Sequence, residues 1–342
     1  MSQSQEWYVT NESDSDEVWG PFSSSEMLVM AREGTLSPIH LVRLSNKDQW
    51  KRASLVKDLR FEDAIDVMSD TWGELNWSEW IDLASPLPAF QAHVTKGPGF
   101  YRVRSTSCPG LVYVGQTGVD LRGRTRKLGK WAYSGIDQPP WNDPHTAAPV
   151  LWAYHHEDSF LYEVSVALNR CDEPERECHE DYLLYLHRLQ FRHSTLANHG
   201  RPHPHWNRPS NKGSGRPTIR KETPKQYPSL PPAVGNIDSM ARDWLGLEWS
   251  AFYHLPAQHM PSVAGVYRIK QENKLVYLGQ SSNLKNRIRA HGKSSRFRNC
   301  DISVAAMPHA DSHQLKEREV DLIGCYFMTY RCPPRQQYSP KP

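Results

Sequence analysis

Two stretches of this 342-residue chain repeat one another in order and at near-equal spacing, which constrains its fold more than any other feature. The first runs Trp77-Ser78, Gly99-Phe100-Tyr101-Arg102-Val103, Val112-Tyr113-Val114-Gly115-Gln116, then Leu121-Arg122-Gly123-Arg124. The second runs Trp249-Ser250, Gly265-Val266-Tyr267-Arg268-Ile269, Val276-Tyr277-Leu278-Gly279-Gln280, then Leu284-Lys285-Asn286-Arg287. The tyrosines are 12 apart in one copy and 10 in the other, and the step from the second tyrosine to the arginine is 11 and then 10. This is a tandem duplication, so each copy must build a similar unit. In each, two short alternating runs flank a turn, Cys108-Pro109-Gly110 or Gln271 to Lys274, which predicts a β-hairpin. Asp120 or Asn283 then caps a helix that opens with leucine. Leu284 and Ile288 share the buried side of the second such helix, so Arg287 points towards the hairpin edge or solvent.

Further on, each copy has a helix with an acid on its apolar stripe. Glu319 follows Leu315 by one turn, with Leu322 and Ile323 on the same face, and Glu180 sits in register with Leu183, Leu184, His187 and Phe191. A carboxylate in such a place is costly unless it has a partner or a metal. Three readings stand open: a stripe-edge residue, a buried pair with one of the arginines, or a functional group.

Gly-Phe-Tyr with Tyr-Val-Gly, and Gly-Val-Tyr with Tyr-Leu-Gly, resemble the signature of the GIY-YIG nucleases over about residues 97–200 and 262–338. The resemblance implies two domains, each a three-stranded antiparallel sheet flanked by helices. It also implies a site made of Tyr101, Tyr113, Arg124, Glu180 and Asn198 in the first copy and Tyr267, Tyr277, Arg287 and Glu319 in the second. Asp143 to Pro149 and Ala197 to Gly200 resemble a restriction-enzyme-like branch, which adds His145 as a proton shuttle or a structural histidine. The second copy departs from the pattern, having Pro333-Pro334-Arg335-Gln336 where an asparagine is usual. It is also more compact, with 32 residues from Arg287 to Glu319 against 56 from Arg124 to Glu180.

Phosphodiester hydrolysis suits these residue types. Glu180 and Glu319 would each hold one Mg2+ (or Mn2+), which polarises a phosphate oxygen. The arginine would brace the charge that develops on phosphorus. A tyrosine beside a cation can orient or deprotonate water, with Tyr101 the first choice. Arg122, Arg126, Lys127, Arg216, Lys285, Arg289 and His291 are candidate contacts to nucleic acid, DNA in preference to RNA.

Residues 1–62 read as a separate α+β unit. Strands are expected at Trp7-Tyr8-Val9 and Leu41-Val42, a Gly20-Pro21-Phe22 turn between them, and a helix from Ser23–Ser25 carrying Met27, Leu28 and Met30. This resembles the bacterial variant of the GYF adaptor domain. Trp7, Tyr8, Trp19 and Phe22 would then dock a proline-rich protein segment, although such aromatics also close a small core. The expected architecture is therefore α+β throughout: 1–62 GYF-like, 63–96 connecting, 97–200 first nuclease-like domain, 201–235 a basic linker rich in Pro and Gly, and 236–342 the second.

Charge and cysteine usage complete the picture. Residues 201–342 hold 22 Lys and Arg against 10 Asp and Glu, whereas residues 1–63 and 64–200 are net acidic. That asymmetry suits a polyanion partner or a basic solvated surface. The six cysteines lack paired spacing and are expected as reduced thiols. The polar start, Met1 to Glu6, offers no signal-peptide pattern and no apolar run reaches membrane length, so a cytoplasmic protein is expected. The sequence leaves oligomeric state open. The expected function is a metal-dependent endonuclease, with prokaryotic defence or restriction as a setting. The rival is a non-catalytic nucleic-acid-binding adaptor that recruits a protein through residues 1–62.

Overall fold

The computed structural model describes residues 6–10, 18–32, 35–36, 40–53, 56, 59, 66–141, 147–207, 215–221, 223–257 and 260–338. The expected proton shuttle His145 lies outside them. Residues 1–68 and 69–342 form two compact units of a mixed α+β chain. Among the described residues no helix is long and apolar enough to cross a membrane. All six cysteines are free.

In the first unit, β1 (Glu6–Thr10), β2 (Trp19–Ser23), β3 (Leu41–Leu44) and β4 (Lys51–Arg52) form an antiparallel sheet in the order β2-β1-β3-β4. The helix α1 (Ser24–Arg32) covers it, and Trp7, Val9, Met27, Ala31 and Val42 make the core. β1, β3 and α1 fall where alternation and the serine caps put them, whereas Gly20-Pro21-Phe22, expected as a turn, lies within β2, and β4 adds a strand that was not expected.

The second unit is built twice from one plan. In the first repeat β5 (Ile81–Asp82) and α2 (Leu87–His93) lead into the hairpin β6 (Gly99–Arg104) and β7 (Leu111–Thr117). Then come α3 (Leu121–Ala132), α4 (Ala148–Asp158), β8 (Glu163–Leu168) and α5 (Glu173–Phe191). Two short strands, β9 (Trp206–Asn207) and β10 (Thr218–Ile219), pair with each other between the repeats. In the second repeat β11 (Tyr253–His254), the hairpin β12 (Gly265–Gln271) and β13 (Lys274–Ser281), α6 (Leu284–Gly292), β14 (Asp301–Ala306) and α7 (Ser312–Tyr330) follow the same order, with no counterpart of α2 or α4 among the described residues. The sheets run β5-β8-β6-β7 and β11-β14-β12-β13. Register matches as well: Tyr101 faces Gly115 and Val166, Tyr267 faces Gly279 and Val304, and each hairpin bulges at the equivalent place. Asp120 caps α3 by accepting from the Arg122 and Gly123 amides, and Asn283 caps α6 by accepting from Asn286.

Three expectations about domain limits change. A short fourth strand joins each expected three-stranded sheet, and in the first repeat it comes from within 63–96. That segment is thus not a mere connection: Trp72, Trp77 and Trp80 surround the Arg102 guanidinium at 5.9, 4.5 and 4.6 Å, and Arg102 donates to the Ser69 carbonyl at 2.9 Å. Trp244, Trp249 and Phe252 enclose Arg268 in the same way, so the repeated unit begins earlier than the tyrosine motif. A buried cation needs π-faces and carbonyls around it. Finally, described residues of the expected linker 201–235 pack against the repeats. Trp206 stacks edge-on against Trp152, and residues 228–233 lie as a strap against α7.

That strap and both long helices meet at a buried ion cluster. Arg188 of α5 donates from Nε to Asp321 Oδ1 at 2.6 Å and from Nη2 to Oδ2 at 3.1 Å. Asp321 also accepts from the Ala233 amide and Arg318. Glu317 accepts from the Ser229 hydroxyl and Leu230 amide, with Arg188 and Arg201 each 3.6 Å away. Glu317, Asp321 and Arg188 are fully buried. Alongside, Gly324 lets the helices close up, since a Cβ there would stand 2.5 Å from Tyr185 Cβ and 2.9 Å from the Asp181 carbonyl.

Candidate active site

The repeated glycines have a steric reason. A Cβ on Gly115 would lie 2.6 Å from the Tyr101 hydroxyl and 2.7 Å from Tyr113 Cε1, and one on Gly279 would lie 2.5 Å from the Tyr267 hydroxyl and 2.9 Å from Tyr277 Cε1. Real Cβ atoms do not approach so closely, so glycine is what lets two phenols stack over the hairpin. The rings sit 5.8 Å apart in the first repeat and 6.1 Å in the second. Arg124 Nε donates to the Tyr101 hydroxyl at 3.3 Å, and Arg287 Nε donates to Tyr267 at 3.0 Å. The helix arginine thus turns to the central strand of its sheet, one of the two directions expected for Arg287.

The phenols are not equivalent. Tyr101 is fully buried on the central strand β6, whereas Tyr113 on β7 lines a cavity of about 360 Å3. Burial raises the pKa of both, and the charge of Arg124 opposes the rise. The group that can meet a water is therefore Tyr113, with Tyr101 joining it to Arg124; the preference for Tyr101 is corrected on burial. In the second repeat Tyr267 is buried too, and its hydroxyl also meets His291 Nε2 at 2.9 Å. His291, expected on the nucleic-acid surface, is buried, and desolvation holds its pKa down at about 4, so it is neutral beside the phenol.

Glu180 lines the same cavity, as do Asp181 and, from the other repeat, Lys316 and Glu319. No hydrogen bond or ion pair holds the Glu180 carboxylate among the described residues, which sets aside the paired-with-arginine reading. Desolvation pushes it up to about 8, with Asp181 and Glu177 adding and Arg124 opposing. Desolvation likewise lifts Asp181 to about 7, against the Tyr338 hydroxyl that donates to it, and Glu319 to about 8.

Proton linkage makes this measurable. Unfolded carboxylates are ionised by neutral pH, whereas the folded chain keeps its proton on Asp181 until about pH 7 and on Glu180 and Glu319 until about pH 8. The folded state therefore binds more protons, and its stability falls as pH rises through that range. Buried His179, His187, His199 and His291, whose pKa values are lowered, act in the opposite sense only below about pH 6.5, where the unfolded histidines charge. Without divalent cations, the Tm should drop by several degrees from roughly pH 6.5 to 8 and level off above that, and Glu180→Gln should flatten the slope. A wild-type Tm that stays level or climbs over that interval would contradict the burial assigned to these acids.

Asn198 holds the chain at the site. Its side-chain amide accepts from the Val114 amide at 3.0 Å and donates to the Val114 carbonyl at 2.9 Å, tying the chain after α5 to β7. The second repeat has the same tie one residue beyond the stretch that seemed to lack it. Gln337 accepts from Leu278 at 2.8 Å and donates to it at 2.9 Å, while the Gln336 amide bonds Val276 as the Ala197 amide bonds Val112. Gln337 therefore stands where Asn198 stands in the first repeat, 18 residues after Glu319 as Asn198 is 18 after Glu180.

The basic candidates divide. Arg122 donates to the Val94 and Gln91 carbonyls at 2.7 and 2.9 Å, closing the end of α2 rather than facing a phosphate. Arg126 lies near the Phe90 ring, 5.9 Å away, and Lys127, Lys285 and Arg289 are exposed on α3 and α6. Arg216 is exposed and lies over Trp141 at 4.5 Å. No group of three or more His, Cys, Asp or Glu side chains among the described residues is arranged to hold a metal.

In the first unit Trp7 belongs to the core, its indole donating to Ser24 Oγ at 3.1 Å, and Phe22 packs against that core. A strand position facing α1 leaves Trp7 no outer face. The accessible aromatics are Trp19, 40% exposed, and Tyr8 with Trp50, which flank the Arg43 guanidinium at 5.1 and 5.0 Å.

The first unit is thus a small sheet-and-helix domain with aromatics at its surface, and the second a duplicated α+β unit with a carboxylate-lined cavity. Residues 7–59 match the family model described as GYF domain 2. No curated protein and no solved structure matches the chain.

Proposed function

We propose that residues 69–342 hydrolyse phosphodiester bonds of DNA with a divalent cation, as the resemblance to GIY-YIG nucleases implies. One observation carries the reading: in both repeats the arginine of the helix after the hairpin donates to the first tyrosine hydroxyl over a glycine that admits no Cβ. The Glu180 carboxylate, unpartnered and open to the cavity, is a donor set that fits Mg2+ or Mn2+, because Mg2+ is commonly held by one or two carboxylates, with water and substrate phosphate completing its shell. When bound, the cation would polarise a phosphate oxygen. Glu180 must lose its proton to bind it. Tyr113 orients the attacking water, and Tyr101 passes the influence of the Arg124 charge to that phenol. A P–O bond forms to the water oxygen, one ester P–O bond breaks, and the departing oxygen takes up the proton that water loses. Supercoiled plasmid should be converted to nicked or linear product with Mg2+ and stay intact in EDTA. DNA binding without cleavage under any divalent cation would favour the adaptor reading.

The match to the GYF model favours a protein partner for the first unit, since GYF domains bind proline-rich peptides. Trp19 is the exposed anchor for it. Trp19→Ala in the full chain should weaken binding of a proline-rich peptide by tenfold or more, measured by titration calorimetry. Equal affinity would place the partner elsewhere.

A further inference from the structure

The duplication raises the question of whether the chain has two hydrolytic centres or one. The two candidate carboxylates open into the same space. Close approach of α5 and α7 at Gly324 sets Glu180 and Glu319 on one cavity, with Tyr113 and Asn198 from the first repeat and Lys316 from the second. Tyr267 and Tyr277 are not among its lining residues. The wall therefore has the first repeat's phenol but both repeats' acids. Its volume of about 360 Å3 lies near the low end of the roughly 300–1,000 Å3 of small-ligand sites, enough for one nucleotide and not for two strands. A phosphodiester is itself an anion, and three carboxylates around it repel it. Lys316, one turn before Glu319 on α7, adds a cation to that wall in addition to Arg201.

Resting on the nuclease reading, we infer that the repeats form a single composite centre, in which Glu319 and Lys316 serve the phosphate attacked at the first repeat. Each binding event then cuts one strand. Lys316 binds the phosphate as a point charge, and Glu319, which lines the same cavity as Glu180, would take a share of the cation or its water.

The test follows the full chain on supercoiled plasmid with Mg2+, resolving nicked and linear products in time. Nicked circles should accumulate first, and linear product should appear only after a lag. Lys316→Ala should raise KM for nicking about tenfold, with less change in kcat, and Lys316→Arg should restore it. Glu319→Gln should slow the nicking step itself about tenfold. Linear product formed as fast as nicks, or a Glu319→Gln variant that nicks within twofold of wild type but fails to linearise, would mean two independent centres and overturn the composite one. A wild type that yields neither product would overturn the hydrolytic reading, and this inference with it.

Discussion

Glu180→Gln should reduce plasmid cleavage at least 10^3-fold while leaving the chain folded. The side chain keeps its size, and the carboxyl it replaces is held at about pKa 8, so at neutral pH the resting group is largely uncharged already. Swapping an uncharged acid for an amide should cost the fold little and should raise Tm at alkaline pH, where the buried charge no longer forms. Catalysis differs because a cation needs the ionised oxygen. An amide binds Mg2+ weakly, and losing several kcal/mol of transition-state stabilisation corresponds to three or more powers of ten. Initial rates of nicking, compared with melting curves on the same samples, check both halves. A variant that melts normally and cleaves within tenfold of wild type would remove Glu180 from the site.

Arg188→Ala should instead destabilise residues 69–342 by about 3–5 kcal/mol. The guanidinium makes paired contacts to Asp321 and donates to Ser194 Oγ and the Leu230 carbonyl, all under cover. Its removal leaves Asp321 and Glu317 buried with less countercharge, although Arg318 and the Leu230 and Ala233 amides still serve them. The same contacts join the first repeat, the strap and the second repeat, so their loss should loosen the cavity as well as the core. Chemical denaturation measures the change in midpoint. A shift below 1 kcal/mol would show that the remaining donors carry the cluster. Arg188→Met combined with Asp321→Leu should recover part of the loss, because both groups that demand each other are then gone.

Much of this was legible from residue order. Cap residues announced α3 and α6, alternation announced both hairpins, and the resemblance to the GIY-YIG signature implied that Tyr101, Tyr113 and Arg124 share one site. Glu180 and Glu319 stood out as acids on apolar stripes. Other features are less plain in the sequence. Gln337 keeps the offset of 18 residues from Glu319 that Asn198 keeps from Glu180, but a glutamine replaces the asparagine. Arg122 looked like a phosphate contact because its carbonyl partners at Gln91 and Val94 lie across a loop. His291 looked like surface, yet it follows Leu284 by seven residues and Ile288 by three on the buried side of α6.

By itself the amino-acid order determined that this protein is a duplicated α+β chain behind a small aromatic-rich domain, since periodicity, caps and glycine punctuation act over a few residues. Only tertiary structure decided which tyrosine reaches solvent, which basic residues are already engaged, and that two glutamates from different repeats share one cavity. Those outcomes depend on desolvation and on contacts more than a hundred residues apart, such as Arg188 with Asp321, and neither quantity is a property of a local sequence window.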